Sequence, residues 1–224
     1  MGIAYPSYVK VPVSCKICRL LNTGFASRLA LTMKLTNAYN QLIVFILMNP
    51  STATQYDSDK TMNKVAHISF VDLKELHIGS ATVVNVYPFY QTKSSELQTT
   101  LTELMGVSKR FYYKQLFINL REVYSAIAGA DYVFLGTGGI PEHIQDKGEY
   151  NFLINTIHSY VETLKGTALL GKGDKNKSYL KNGIYSYHLC PHGNPTTINK
   201  AHFYKLRNGR FIKDNSSTEF DISY

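Results

Sequence analysis

Tryptophan is absent from this 224-residue chain, and cysteine occurs only three times. So few cysteines do not make a disulfide framework and suit a reducing compartment. The longest uninterrupted apolar run is Leu42–Met48, far short of the roughly 18 residues that span a bilayer. The first residues lack a basic segment followed by a long apolar stretch, so no signal peptide is expected and the cytoplasm is the expected location. Internal repeats and low-complexity tracts are also missing. The turn Gly136-Thr137-Gly138-Gly139 is glycine-rich, but no Lys-Ser/Thr pair follows it, which excludes a phosphate-binding P-loop. It reads as a tight strand-to-helix turn.

What is present is a globular composition with 17 tyrosines and a net charge of +8 that sits in one place. Lys172 to Lys213 holds nine basic residues and one acid, Asp174; with 24 basic and 16 acidic residues in all, the rest of the chain is balanced. Positive charge gathered this way attracts phosphate through counterion release, so nucleic acid is the first partner to consider. The candidate phosphate contacts are Lys172, Lys175, Lys177, Lys181, Lys200, Lys205, Arg207 and Arg210. The competing possibility is a solvated basic face.

The chain is organised around Leu42 to Thr61. Seven apolar residues stop at Asn49-Pro50-Ser51, which predicts a strand buried on both faces with a polar exit. Ser27–Leu35 precedes it as a shorter amphipathic piece, read as a strand. Helical spacing follows over Thr61–His77, stopped by Gly79. Ala81–Tyr87 predicts a second strand, and Ser95-x-x-Gln98 resembles a capping box opening one helix, with another over Phe111–Ala128. Tyr132–Leu135, Thr167–Leu170 and Ile184–Cys190 complete the strands, and Tyr150–Lys165 the helices.

Alternating strands and helices predict an α/β fold: a three-layer α/β/α sandwich around a mainly parallel sheet of four to five strands. One domain spans 1–224, with residues 1–27 as an extension packed on the core, 28–213 as the core, and 214–224 as a flexible tail. A monomer without membrane contact is expected.

Ligands in open α/β sheets bind beyond the carboxyl ends of the strands. The exits here carry Asn49-Pro50-Ser51, then Asn85 with Pro88-Phe89, then Gly136 to Gly139, and last Cys190-Pro191-His192-Gly193-Asn194-Pro195. Asn85 lies inside an apolar strand, so its amide must find partners or cost about 1–3 kcal/mol. It offers both donor and acceptor, which suits the edge of a flat heterocycle. A neighbouring loop could equally satisfy it.

The order LMNPS, VVNVYPF, VFLGTG, CPHGNP resembles the uracil-DNA glycosylase superfamily. More closely, MNPSTA with Asp59-Lys60-Thr61 and the VVNVYPF strand resembles a bacterial and phage family of unknown function with an NPSTA hallmark. The resemblance implies a glycosylase-like fold and cleavage of the N-glycosidic bond of a flipped base in double- or single-stranded DNA. The base would be uracil, a damaged base, or a modified one such as a cytosine of foreign DNA in an antiviral setting. It implies that Asn49 positions water, Asn85 reads the base, His192 stabilises the departing anion, and Gly193 to Pro195, with Asn194, press on DNA. Leu47 stands where many members have glycine, and HGNP replaces HPSP.

Glycosidic cleavage passes through an oxocarbenium-like state, which calls for a water-activating group near the sugar and a donor at the base. Asp57 and Asp59 are candidate general bases, with helix capping as the alternative. Tyr56, Phe89 and Tyr90 are candidate stacking platforms, or ordinary packing; Pro50, Ser51 and Gly136 complete the candidate pocket. No cofactor is expected. Cys15-x-x-Cys18 has zinc-ligand spacing, and Cys190 with His192 would complete a set of three cysteines and a histidine. Against that, one C-x-x-C is common by chance. Two other functions remain on the same fold: a non-catalytic nucleic-acid binder and a nucleoside or nucleotide hydrolase.

Overall fold

The computed structural model describes residues 3–91, 96–141, 143–173, 175–176, 178–190 and 198–224. In chain order the elements are β1 Val9–Arg19, β2 Ala26–Leu35, β3 Gln41–Leu47, α1 Lys60–His67, β4 Ile78–Asn85 and α2 Leu97–Gly129. There follow β5 Tyr132–Gly136, α3 Lys147–Leu164, β6 Thr167–Lys172, β7 Leu180–Lys181 and β8 Tyr185–Ser186. Last come β9 Lys200–Arg207, β10 Arg210–Lys213 and β11 Phe220–Asp221.

The fold is mixed α/β. Its centre is four parallel strands in the order β4-β3-β5-β6, with β3 paired to β4 on one side and to β5 on the other. The sheet is larger than the expected four to five strands: among the described residues it has nine. Antiparallel β2 and β1 extend the β4 edge, and antiparallel β9, carrying β10 and β11, extends the β6 edge. The stretch 1–27 thus supplies an edge strand instead of only an extension, because Val9 and Val13 are buried between exposed neighbours and a strand needs to cover only one face. The expected flexible tail returns to the sheet, where Phe220 and Ile222 are buried.

Each face of the sheet carries its own apolar core. Val44, Ile46, Val84 and Leu135 pack with α2 and α3. Phe45, Leu47, Val83 and Phe134 pack with Met62, Val65 and Ala66 of α1. The alternation of one strand between two cores explains why Leu42–Met48 is apolar throughout.

The end of the first helix differs from expectation. α1 ends at His67 and continues as a π-helical turn over Ile68–Asp72 and a 3-10 turn over Lys74–Leu76. Gly79 is a strand residue, and a Cβ there would lie 1.8 Å from the Tyr39 carbonyl oxygen. Only glycine permits that approach. The two helices expected between positions 95 and 128 are both present within α2, which is broken at Ser108, where the backbone is extended (φ −159°, ψ 93°). The Ser108 Oγ accepts from the Phe111 N–H at 3.2 Å, which caps and restarts the helix. Gln98 donates to Thr102 and accepts from the Gln145 N–H, so it is not spent on a cap; Ser95 lies outside the described residues. Ile184–Cys190 is a strand only at Tyr185–Ser186, because its partner is the two-residue β7 and not the main sheet.

Candidate functional site at the strand exits

The chain turns away in opposite directions from β3 and β5. From β3 it leads to α1 on one face, and from β5 to α3 on the other. Such a switch point opens a crevice beyond the strand ends. Met48, Asn49 and the glycine turn after β5 border it. The segment 186–190 packs on that turn: Ser186 Oγ accepts from the Thr137 N–H at 3.0 Å, and the Leu189 N–H donates to Gly136 O at 3.4 Å. A Cβ at Gly136 would lie 3.0 Å from Leu47 and 3.2 Å from Leu189. Gly136 therefore serves close packing of that segment.

Asn49 is half-buried, and its Nδ2 donates to the carbonyls of Pro50 and Gln91. Those contacts leave Oδ1 as its outward atom, an acceptor. Pro50 is tied to the next exit, since its carbonyl accepts from the Gln91 N–H at 3.1 Å.

The loop from Asn49 to Asp59 is clamped from three directions. Arg28, fully buried, donates from Nη1 to Ser51 O (3.4 Å) and Ala53 O (3.0 Å). Tyr5 donates to Thr54 O at 2.7 Å. Asp59 accepts from the Ala53 N–H at 3.1 Å through one oxygen and from the Met62 N–H at 2.9 Å through the other. Asp59 is thus the N-cap of α1, and both carboxylate oxygens are occupied. Asp57 is exposed in a turn built on Thr54. Burial pushes the Arg28 pKa down, while Tyr90, Cys15, Asp59 and Tyr5 oppose the shift.

Asn85 is fully buried, and neither Oδ1 nor Nδ2 has a hydrogen-bond partner. It pairs in register with Leu47 and follows Val84, so its side chain shares the α1 face with Leu47 and Val83. Arg28 Nε and Ser51 Oγ are also buried without partners. On the opposite face Asn119 of α2 donates to Asn85 O (2.8 Å) and Val86 O (3.1 Å), fixing the backbone at this exit.

Of the expected stacking residues, Phe89 lies in the core at 1% exposure, stacked on Tyr112 with centroids 5.2 Å apart. Its ring packs against α2, and it also lines the cleft beside Tyr90. Tyr56 projects outward, 62% exposed. Tyr90 lies near Arg28, with the guanidinium carbon 5.8 Å from the ring centroid. With Arg19, Phe25, Thr52, Thr54 and Thr100 it lines an open cleft of about 460 Å³ on the outer side of the loop.

A carboxylate that patterning did not single out lies on the α2–α3 side. Glu149 Oε1 accepts from the hydroxyls of Tyr87 (3.1 Å) and Tyr112 (2.5 Å), both buried. Burial, with Glu149 beside them, raises both phenol pKa values and keeps the hydroxyls as donors. The one available signal was the tyrosine count. Arg28 was visible as a cation near the start of a largely apolar strand that also holds Lys34.

Cys15 and Cys18 are three apart on β1 and so point to opposite faces. Cys190 is buried, and burial raises its thiol pKa against the pull of Lys64. Among the described residues no group of three His, Cys, Asp or Glu is placed to hold a metal. His192 and the expected DNA-pressing loop with Asn194 lie outside the described residues, as does Lys177.

The basic segment does not form one grip. β9 runs antiparallel to β6, pairing Lys172 with Lys200 at the exit end and Thr167 with Lys205 at the other. Lys172 stacks on Tyr179, and Lys181 approaches the glycine turn, 3.8 Å from the position a Cβ would take at Gly139. Lys205, Arg207 and Arg210 sit at the far end of the sheet. Lys200 pairs with Asp221 (2.5 Å) and Glu219 (3.7 Å), and Lys205 with Asp214 (3.1 Å), so acids beyond the basic segment partly neutralise it. No helix among the described residues is long and apolar enough to cross a membrane.

A family model described as "Protein of unknown function (DUF1643)" matches residues 28–175, more than half of the chain. The chain belongs to this family. The matched part of this DUF1643 protein begins at buried Arg28 and takes in all four parallel strands, the Asn49 loop, Asn85 and Glu149. It excludes β1 and everything from β7 onward, so the added antiparallel strands lie largely outside the family's common part. Neither the curated proteins nor the solved structures contain a match.

Proposed function

We propose that this protein is a DNA glycosylase-like enzyme, hydrolysing the N-glycosidic bond of a base drawn out of DNA at the β3–β4–β5 exits. The observation that carries this reading is Asn85: a fully buried amide with donor and acceptor both unspent, at a strand exit next to that of Asn49. Burying such a group unpaired costs stability, and a ligand edge of complementary pattern recovers the cost. The parallel order β4-β3-β5-β6, with asparagines at the exits of its first two strands, supports a glycosylase-like core.

The geometry supports these roles. Asn49, its amide nitrogen held by two carbonyls, offers Oδ1 to orient a water toward the sugar. Asn85 hydrogen-bonds the base edge in this scheme. Extrusion of the base costs a few kcal/mol, least for a mismatched or damaged one. Lys172 and Lys181 lie at the exit end to meet backbone phosphate. Asp59 is occupied as a cap and is not the base in this scheme.

The test is mass spectrometry of released bases from single- and double-stranded oligonucleotides carrying uracil, damaged or modified bases, run beside free nucleosides. Base release from DNA, abolished in Asn49→Ala while DNA binding persists, is the expected result. Binding without any release would replace the proposal by a non-catalytic nucleic-acid binder. Turnover of nucleosides alone would replace it by a nucleoside hydrolase.

A further inference from the structure

Beyond Ser108, α2 turns one face to the sheet and the opposite face to solvent. Tyr112, Leu116, Asn119, Val123 and Ile127 are buried. The outer stripe comprises Arg110, Tyr113, Lys114, Phe117, Arg121 and Tyr124, which recur at the three- and four-residue spacing of one helix face. Its aromatics are unusually open, with Tyr113 57%, Phe117 64% and Tyr124 45% exposed. No acid interrupts the stripe, and its three cations make no ion pair among the described residues; the flanking Glu122 is engaged by Lys16. Two rings are braced from the side. Tyr113 meets Tyr112 edge-on at 5.1 Å, and Tyr124 meets Tyr160 at 5.2 Å, both at 86°.

We propose that this face of α2 binds single-stranded nucleic acid, with bases stacked on the three rings and phosphates paired to the three cations. A flat stacking platform beside a positive charge, repeated along a line, is what sequence-tolerant strand binding needs. From the helical rise, the rings follow one another at about 6 and 10 Å, and the cations repeat the same intervals. Charge complementarity selects this occupant. A second copy docked on the stripe by two-fold symmetry would set cation against cation with no acid to offset them. A membrane-surface helix separates its apolar and basic faces, whereas here rings and charges share one stripe, and insertion would bury the charges. The inference does not rest on glycosidic cleavage, because it concerns binding alone.

The experiment is fluorescence anisotropy of the full chain with a labelled thymidine 20-mer, over a salt series, beside sedimentation with anionic phospholipid vesicles. A Tyr113→Ala/Phe117→Ala/Tyr124→Ala variant is expected to weaken oligonucleotide binding at least about tenfold, stacking on each ring being worth about fivefold or more, with the salt dependence kept. An Arg110→Gln/Lys114→Gln/Arg121→Gln variant is expected to flatten the log–log salt slope by about 2, the loss of three single-strand phosphate contacts. All six side chains are exposed, and a thermal melt verifies that the variants fold. Oligonucleotide binding unchanged in both variants overturns the proposal. So does stripe-dependent binding to vesicles, or stripe-dependent self-association, without oligonucleotide binding. Base release is not read here, so failure of this proposal leaves the glycosylase test standing, and the reverse.

Discussion

Replacing Asn85 by leucine is expected to make the protein more stable and inactive. The side chain is fully buried among apolar neighbours of the α1 face, and both of its polar atoms lack partners. Each buried unsatisfied polar atom costs about 1–3 kcal/mol. Leucine shares the branched shape of asparagine, removes both costs and adds apolar burial. Taking the low end for each atom, Asn85→Leu gains about 2 kcal/mol, which for a domain of this length raises Tm by roughly 4–8 °C. Asn119→Leu is the contrast. Its Nδ2 serves the Asn85 and Val86 carbonyls while its Oδ1 has no partner, so its loss removes one unsatisfied atom but takes the donor from two acceptors, a net cost of about 1–3 kcal/mol. The assay is thermal and urea unfolding of both variants, paired with base release. A gain in stability with loss of activity marks a residue retained for function at stability's expense. A lower Tm for Asn85→Leu would refute the reasoning, since the amide would then be holding the fold together.

Asp59→Ala removes a helix cap and the Ala53 contact. The expected loss is about 2 kcal/mol by urea unfolding. Asp59→Asn retains a good cap and is expected to keep both stability and base release; a hundredfold loss of release in a stable Asp59→Asn would return Asp59 to the role of base. Burial holds the His158 pKa down at about 4, below its ordinary 6.5. The unfolded chain therefore binds a proton that the folded one refuses as pH falls below 6.5. Stability from this group is complete above that pH and declines to pH 4 by about 3 kcal/mol. His158→Leu is expected to remove that part of the acid sensitivity, and parallel pH melts measure the difference.

Strands with strong local signals were legible. Leu42–Met48 is apolar on both faces because it divides two cores, and a continuous run needs no distant information to be recognised. The added edge strands were not legible, because an edge strand need bury only one side. β1 shows Val9 and Val13 amid lysines, serine and cysteine, a pattern that has meaning only beside β2. Ile184–Cys190 failed in the other direction: its residues have strand propensity, but no neighbouring main-sheet edge receives them. Asn49 and Asn85 were visible as polar residues ending apolar runs. Glu149 was hidden, since its partners Tyr87 and Tyr112 come from β4's exit and α2, 62 and 37 residues away.

Charge gives the sharpest separation between composition and structure. The lysines and arginines of the segment 172–213 are neighbours in sequence, but an extended strand advances about 3.3 Å per residue. β9 therefore carries Lys200 and Arg207 to opposite ends of the sheet, and Asp214, Glu219 and Asp221 return to pair with two of its lysines. The basic residues of α2 belong to the electrically balanced part of the chain and form no run. A helix advances only about 1.5 Å per residue and repeats its faces every three to four. It stacks Arg110, Lys114 and Arg121 on one line with three exposed rings, while Glu122, one residue along, turns aside to Lys16. Local charge density in a sequence thus overstates the field of a strand and understates that of a helix. For this protein that shifts the proposed contact with nucleic acid from the C-terminal strands toward α2.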